Sequence, residues 1–124
     1  MKLLLQPQIL SIVQLPANTF FPEWLSAASG FYSITNTRDE YSIVCEQNIV
    51  PSEVTANHGW RAFKVDGVLD FSLTGILYQL AKPLAEANIS IFAISTFNTD
   101  YILVKSEYAD KTKWLWQNLG HEVI

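Results

Sequence analysis

The first half of the chain alternates apolar and polar positions in short stretches, a pattern that is typical of β-strands. Three such stretches, rich in β-branched and aromatic residues, are predicted to be strands: residues 9–15, 31–35 and 41–46. Residues 22–28 predict a short helix, because Pro22 suits its first position and Gly30 lies just past its end. Residues 51–59 are polar and lack periodicity, so they are predicted to connect this half to the next.

In the second half, apolar residues recur at helical spacing between two groups of strand-like stretches. Thr74 is expected to cap a helix that ends at Asn88, with Pro83 kinking it. Asp110 is expected to cap a second helix, which ends at Leu119. Strands are predicted at residues 61–65, 89–96 and 101–105, and the start of another at residues 122–124. The resulting order, β-α-β-β-α-β, is that of an α+β, ferredoxin-like fold.

The first half repeats this order only in part. It reads β-α-β-β and lacks the second helix. The pattern therefore predicts two units, a degenerate one over residues 1–59 and a complete one over residues 60–124. Each has only about 60 residues, too few for a robust independent core, so the two are expected to share a sheet or to pack as one body.

Composition excludes two classes of protein, disordered chains and nucleic-acid binders. Of the 124 residues 49% are hydrophobic, which is too many for a disordered chain. The net charge is −4 and lysines and arginines are scattered, so no basic face is available to bind nucleic acid.

The compartment is predicted from three features of the sequence. Residues 3–5 are all leucine, but polar residues 6–8 interrupt the run before it could act as a signal peptide. No apolar run approaches the roughly 20 residues that a membrane span needs. The single cysteine, Cys45, cannot form an internal disulfide. A soluble, cytoplasmic protein without a membrane partner is expected.

Motifs for catalysis and metal binding are absent from the sequence. His58 and His121 have no nucleophile at a motif spacing, and both are interpreted as solvated loop histidines. Cys45 ends an apolar strand and is interpreted as a small buried hydrophobe. The metal-ligand and phosphate-loop patterns do not occur. No catalytic residue, metal or cofactor is predicted.

One stretch does suggest a binding site for a free amino acid. Around Thr74 and Gly75 the chain enters a helix, whose first N–H groups lack internal partners and attract a carboxylate. In a ferredoxin-like unit the end of the strand at residues 89–96 lies nearby, which brings Ser95, Thr96 and Asn98 to Asp100 towards the helix. Asp100 would then pair with an ammonium group. The alternative is that Thr74 is only a cap and residues 98–100 only a turn.

The sequence also resembles a known family through a series of short strings: T-G-I at residues 74–76, P-L-A at 83–85, N-I-S-I-F at 88–92, I-S-T-F at 94–97 and T-D-Y-I-L-V at 99–104. They are similar to the ACT-domain branch that includes the CASTOR-type cytosolic arginine sensors and small stand-alone bacterial relatives with tandem ACT units. The resemblance covers residues 60–121 well and the first half weakly.

The resemblance implies a βαββαβ fold and a regulatory protein that binds an amino acid without catalysing a reaction. Ligand-binding positions carried over from the family are Leu73, Thr74, Gly75, Ile76, Ser95, Thr96 and Asp100. This chain departs from the family in its glycine loop, which here reads D-F-S-L-T-G at residues 70–75, and in its clipped last strand.

Three functions are therefore considered. The first is an amino-acid-binding regulatory protein built from two ACT-like units, expected to be a two-fold homodimer. The second is a protein–protein interaction module that keeps the fold and has lost its ligand. A small enzyme is the third and least supported, because no base and nucleophile are paired.

Overall fold

The structure, a computed structural model, describes residues 1–69 and 74–124. The described residues form strands β1 (Lys2–Leu15), β2 (Ser33–Asn36), β3 (Tyr41–Glu46), β4 (Ala56–Val65), β5 (Phe92–Ser95), β6 (Asp100–Lys105) and β7 (Glu122–Val123). They also form helices α1 (Ile76–Glu86) and α2 (Ala109–Asn118) and the short 3-10 helices Glu23–Ala27, Gln47–Ile49 and Ser106–Tyr108. The chain divides into a helical unit, Met1–Pro7 with Arg61–Ile124, and a β unit, Gln8–Trp60.

The helical unit has the predicted βαββαβ order, from β4 through α1, β5, β6 and α2 to β7. Its strands lie in the order β5-β6-β4-β1, and β7 pairs with β1 in parallel. β5 and β6 pair antiparallel, with Ser95 opposite Asp100. The predicted α+β, ferredoxin-like fold is confirmed for this unit.

The core of the helical unit is formed by one face of each helix and the apolar side of the strands. Leu80 and Leu84, one turn apart on α1, are fully buried. Trp116 of α2 is also fully buried; its indole N–H donates a 2.9 Å hydrogen bond to the Leu80 carbonyl oxygen. Its ring meets that of Phe63 edge to face, with 5.0 Å between centroids. This packing fixes both helices on the sheet.

The ends of the helices differ from the prediction. The cap position of α1 is occupied by Gly75 and not by Thr74, because the backbone there is left-handed, with φ +77°, a conformation that favours glycine. α1 continues as an α-helix through Pro83, and Asn88, with φ +59°, follows its end. α2 begins at Ala109, which places Asp110 in its first turn rather than at its cap.

The β unit is built on antiparallel pairs, β1 with β3 and β2 with β3. Its strand order is β2-β3-β1-β4. The expected helix over residues 22–28 is the 3-10 helix Glu23–Ala27, with Pro22 at its cap. Leu25 from this helix packs with Val13 and Cys45 in the core of the unit.

Three predictions about strand extent are wrong. The first strand, predicted over residues 9–15, begins at Lys2. Residues 51–59 do not form a loop throughout, because β4 begins at Ala56 and runs to Val65. The polar start of β4 is largely exposed, so backbone pairing rather than apolar alternation makes it a strand. The strand predicted over residues 89–96 is only Phe92–Ser95, and it is half exposed because β5 ends the strand order.

Candidate functional site

A pocket of about 280 Å³ lies in the helical unit at the start of α1. We call it the α1 pocket. Its wall is made by the start of the helix, one residue of the preceding loop and the turn between β5 and β6. The lining residues are Leu69, Gly75, Ile76, Leu77, Ser95, Thr96, Phe97, Asn98, Thr99 and Asp100.

The structure brings together five of the seven predicted ligand-binding residues around this pocket: Gly75, Ile76, Ser95, Thr96 and Asp100. Thr74 is exposed and is not part of the lining. Leu73 lies outside the described residues. Sequence reasoning missed Leu69, Leu77 and Phe97, which add apolar surface to the wall. Their apolar character gave no signal in the sequence, since it is equally compatible with core positions.

The start of α1 forms one side of the pocket, where backbone N–H groups can bind hydrogen-bond acceptors. Gly75 has φ +77°, and a Cβ built on it would meet no other atom within 4 Å, so the backbone there is open. The first hydrogen bond of the helix runs from the Gln79 N–H to the Gly75 carbonyl oxygen, 2.9 Å apart. The N–H groups before Gln79 have no acceptor inside the helix and can bind an anionic group.

The opposite side of the pocket is the turn that joins β5 to β6. The Thr96 N–H donates to the Thr99 carbonyl oxygen at 2.8 Å, and the Thr99 N–H donates to Thr96 Oγ1 at 3.2 Å. The Thr96 hydroxyl also donates to the Thr99 carbonyl oxygen, at 3.1 Å. These bonds close the turn through the Thr96 hydroxyl and the backbone groups of both threonines.

Two further hydrogen bonds attach this turn to the chain that leads into α1. Thr99, which is buried, donates from Oγ1 to the Val65 carbonyl oxygen at 2.8 Å. The Leu69 N–H donates to the Asn98 carbonyl oxygen at 2.6 Å. The β5–β6 turn is therefore held against the end of β4 and against Leu69.

Asp100 supplies the negative side chain of the pocket. It is the first residue of β6, partly buried, and its register partner on β5 is Ser95. No other described lining residue is titratable. The arrangement offers a carboxylate on one side and helix N–H groups on the other, which suits a small molecule that carries both an ammonium and a carboxylate.

The other reactive side chains have local partners. His121 Nδ1 lies 3.0 Å from the Met1 amino group, and its pKa is lowered by burial and, to a smaller degree, by that charge. In the β unit, His58 Nδ1 lies 2.6 Å from the hydroxyl of Ser11, which is fully buried.

Cys45 is fully buried, as predicted. Its burial and, to a smaller degree, the charge of Glu46 raise the pKa of its thiol to about 11. Across residues 1–69 and 74–124, no cluster of acidic, histidine or cysteine side chains could hold a metal ion.

A family model for the ACT domain matches residues 55–112, the segment that contains the α1 pocket. The chain therefore contains an ACT domain over these residues. A second family model, for an N-terminal domain, matches residues 9–53. No helix within the described part of this ACT-domain protein is long and apolar enough to cross a membrane.

Curated relatives of the ACT-domain protein include the cytosolic arginine sensor for mTORC1 subunit 1 of Bos taurus. The two are 37% identical over 90 residues, which is 66% of this chain and 27% of the relative. The putative human protein CASTOR3P is 36% identical over 87 residues, 60% of this chain and 53% of that protein. The chain thus spans between a quarter and about half of the length of these relatives.

Solved structures extend the similarity over almost the whole chain. A crystal structure of an Agrobacterium tumefaciens protein shares 39% identity and superposes with a TM-score of 0.92, covering 99% of this chain and 91% of that one. An aspartate kinase of Clostridium acetobutylicum, described as an allosteric enzyme, superposes with a TM-score of 0.66 at 13% identity, over 90% of this chain and 32% of the kinase. That likeness supports the fold alone.

Proposed function

We propose that this ACT-domain protein is a non-enzymatic regulatory protein that binds a free amino acid in the α1 pocket. The observation that carries the proposal is the pairing of opposite electrostatic sides in one small pocket: the Asp100 carboxylate and the start of α1. A zwitterion satisfies both sides at once, whereas a simple anion or cation satisfies only one.

The proposed pose follows from the positions of these groups. The ligand carboxylate accepts hydrogen bonds from the N–H groups that follow Gly75, where the absence of a side chain permits close approach. The ligand ammonium donates to Asp100. The ligand side chain lies against the apolar wall of Leu69, Leu77 and Phe97. A volume of about 280 Å³ is just below the range of about 300–1,000 Å³ that is usual for drug-sized ligands, and it suits a molecule of amino-acid size.

The relatives support an amino acid as the ligand class. Relatives that match part of the chain are named cytosolic arginine sensors, and that name makes arginine the first amino acid to test here. A cytoplasmic location is proposed on the same ground. The chain covers only about a quarter of those sensors, so the identity of the ligand is part of the proposal.

The assembly is also proposed. We infer two ACT-like units in sequence, over residues 1–59 and 60–124, and a two-fold homodimer. β5 supports the dimer because it ends the strand order of the helical unit, so one of its edges lacks a strand partner among the described residues. Light scattering over a wide concentration range is expected to give twice the chain mass, and a monomer mass throughout would exclude the dimer.

The function is tested by a thermal-shift screen with the twenty common amino acids at millimolar concentration. An amino acid present at 100 times its dissociation constant stabilises the fold by about 2.7 kcal/mol. In a chain of this size that is expected to raise Tm by several degrees. Calorimetric titration of the amino acids that raise Tm then gives affinity and stoichiometry. If no amino acid shifts Tm or releases heat, the proposed function is wrong.

A ligand-free interaction module remains the second candidate, and one feature of the helical unit favours it. A groove of about 740 Å³ lies between α1 and α2, and it exposes the apolar surface of Tyr78 and Leu119. Apolar surface gathered in one groove is typical of protein contacts. This candidate is tested by pull-down from a lysate, with Leu119→Ser as the control. It is supported if the parent chain retains a protein that the variant loses and if the amino-acid screen is negative.

A further inference from the structure

A second pocket of the helical unit lies at the end of β4 and has a volume of about 350 Å³. We call it the Lys64 pocket. It is lined by Lys64, Asp66, Gly67, Val68, Thr96, Asn98, Thr99 and Tyr101. The only residues it shares with the described lining of the α1 pocket are Thr96, Asn98 and Thr99 of the β5–β6 turn. The two pockets therefore meet at that turn and differ in all their charged groups.

Two opposite charges contribute to the Lys64 pocket. The Lys64 side chain makes no ion pair with any residue in the described ranges. Asp66 has one ion pair, with Lys2, whose ammonium lies 4.0 Å from the Asp66 carboxylate and closer, at 3.6 Å, to Glu122. Both charges are thus available to a ligand, since the Lys2 contact is long and solvent-exposed.

The local backbone sets the separation of these charges. Lys64 is in β4 and Asp66 directly follows its last residue, Val65, which is buried; both charged residues line the same pocket. Two residues of a strand span about 6.6 Å. The Asn98 side-chain amide completes the lining and can donate or accept hydrogen bonds, whereas the Thr96 hydroxyl already donates its proton to the Thr99 carbonyl oxygen.

We propose that the Lys64 pocket binds a second small zwitterion, whose carboxylate pairs with Lys64 and whose ammonium pairs with Asp66. This goes beyond the proposed function, because it assigns a site that shares no charged residue with the α1 pocket. A simple anion is repelled by Asp66 and a simple cation by Lys64. A molecule with both charges about as far apart as the two side chains satisfies both.

The test uses nuclear magnetic resonance, because each pocket has backbone amides of its own that report on it. Amides of Lys64, Gly67 and Val68 report on the Lys64 pocket, and those of Gly75 to Leu77 report on the α1 pocket. The probes are glycine, β-alanine and γ-aminobutyrate, zwitterions of increasing charge separation, with acetate and methylamine as single-charge controls. At least one zwitterion is expected to give saturable chemical-shift changes at the amides of Lys64, Gly67 and Val68. Acetate and methylamine are expected to give none there.

Variants separate this site from the proposed function. Lys64→Gln and Asp66→Asn are each expected to weaken the response at Gly67 and Val68 about tenfold. Lys111→Gln removes the same charge from the exposed face of α2 and is expected to change neither response. A response at the α1 amides with none at the Lys64 amides would overturn only the second site, and the reverse result would overturn only the first. Equal binding of acetate and the zwitterions would also overturn the second site, since the pocket would then accept any anion.

Discussion

Thr99 is hydrogen bonded through its side chain to the end of β4, where its Oγ1 donates to the Val65 carbonyl oxygen at 2.8 Å. This one bond joins the β5–β6 turn to the strand that precedes α1. Because Asp100 follows Thr99 directly, the bond also fixes the position of the carboxylate relative to the start of the helix. The geometry of the α1 pocket thus depends on a residue that is itself buried and has no charge.

Replacement of Thr99 by valine is expected to destabilise the fold and to weaken amino-acid binding. The variant keeps the shape and leaves the Val65 carbonyl without its side-chain donor. A buried polar group left without its partner costs about 1–3 kcal/mol. Urea unfolding measures the stability. Thr35→Val, on the exposed part of β2, is the control and is expected to change stability by less than about 0.5 kcal/mol. Equal stability of the two variants would contradict the role of the hydrogen bond.

Replacement of Gly75 by valine is expected to abolish ligand binding while the chain still folds. A valine in the left-handed conformation costs about 1–2 kcal/mol or more, and its side chain enters the space that the ligand carboxylate must reach. Gly120→Val is the matched control, because Gly120 also has a positive φ, of +92°, and an open Cβ position. Thermal unfolding is expected to show similar losses of Tm for the two variants. Calorimetric titration is expected to show that only Gly75→Val has lost ligand binding. Binding retained by Gly75→Val would exclude the helix start as the carboxylate site.

Replacement of Asp100 by asparagine is expected to weaken binding about ten- to a hundred-fold. The change keeps the shape and removes the charge partner of the ligand ammonium, a loss of about 1.5–3 kcal/mol. Asp110→Asn removes the same charge from exposed α2 and is expected to leave the affinity unchanged. Calorimetric titration with the amino acid identified by the screen compares the two. If Asp100→Asn binds as tightly as the parent, the turn is structural only.

The two tryptophans of α2 are expected to differ sharply when replaced by alanine. Trp116 is fully buried and makes the hydrogen bond to Leu80, so Trp116→Ala is expected to cost about 3–5 kcal/mol. Trp114 is 60% exposed, and Trp114→Ala is expected to change the free energy of unfolding by less than about 1 kcal/mol. Chemical unfolding followed by circular dichroism measures both. Equal effects would show that Trp116 does not anchor the helix.

The Cys45 thiol is expected to make stability fall as pH rises from about 9 to about 11. Burial raises its pKa to about 11 in the folded chain, so between these values the unfolded thiol loses its proton while the folded one keeps it. Ionisation therefore stabilises the unfolded state in that window. Unfolding free energies measured at several pH values should fall less steeply for Cys45→Ala than for the parent. Parallel curves for the two proteins would show that the thiol does not contribute.

The order of elements in the helical unit could be read from the sequence, because apolar periodicity and glycine positions are local properties. The spacing of Leu80 and Leu84 and the stop at Asn88 are enough to predict α1. The residues at which helices and strands begin and end were less predictable from the sequence. The start of β4 has a polar sequence and is a strand only through backbone pairing with a distant segment, and the length of β5 depends on its place at the end of the strand order.

The residue types of the candidate site were also visible in the sequence, since Gly75, Thr96 and Asp100 are glycine or polar positions at the ends of predicted elements. Their arrangement around one pocket was not. It depends on hydrogen bonds between segments far apart in the chain, from Thr99 to Val65 and from Leu69 to Asn98. The apolar wall of Leu69 and Leu77 and the separate pocket at Lys64 come from the same contacts. Which elements form follows from helix and strand periodicity, which is a local property of the chain. Which side chains line a common pocket depends instead on hydrogen bonds and packing between distant segments.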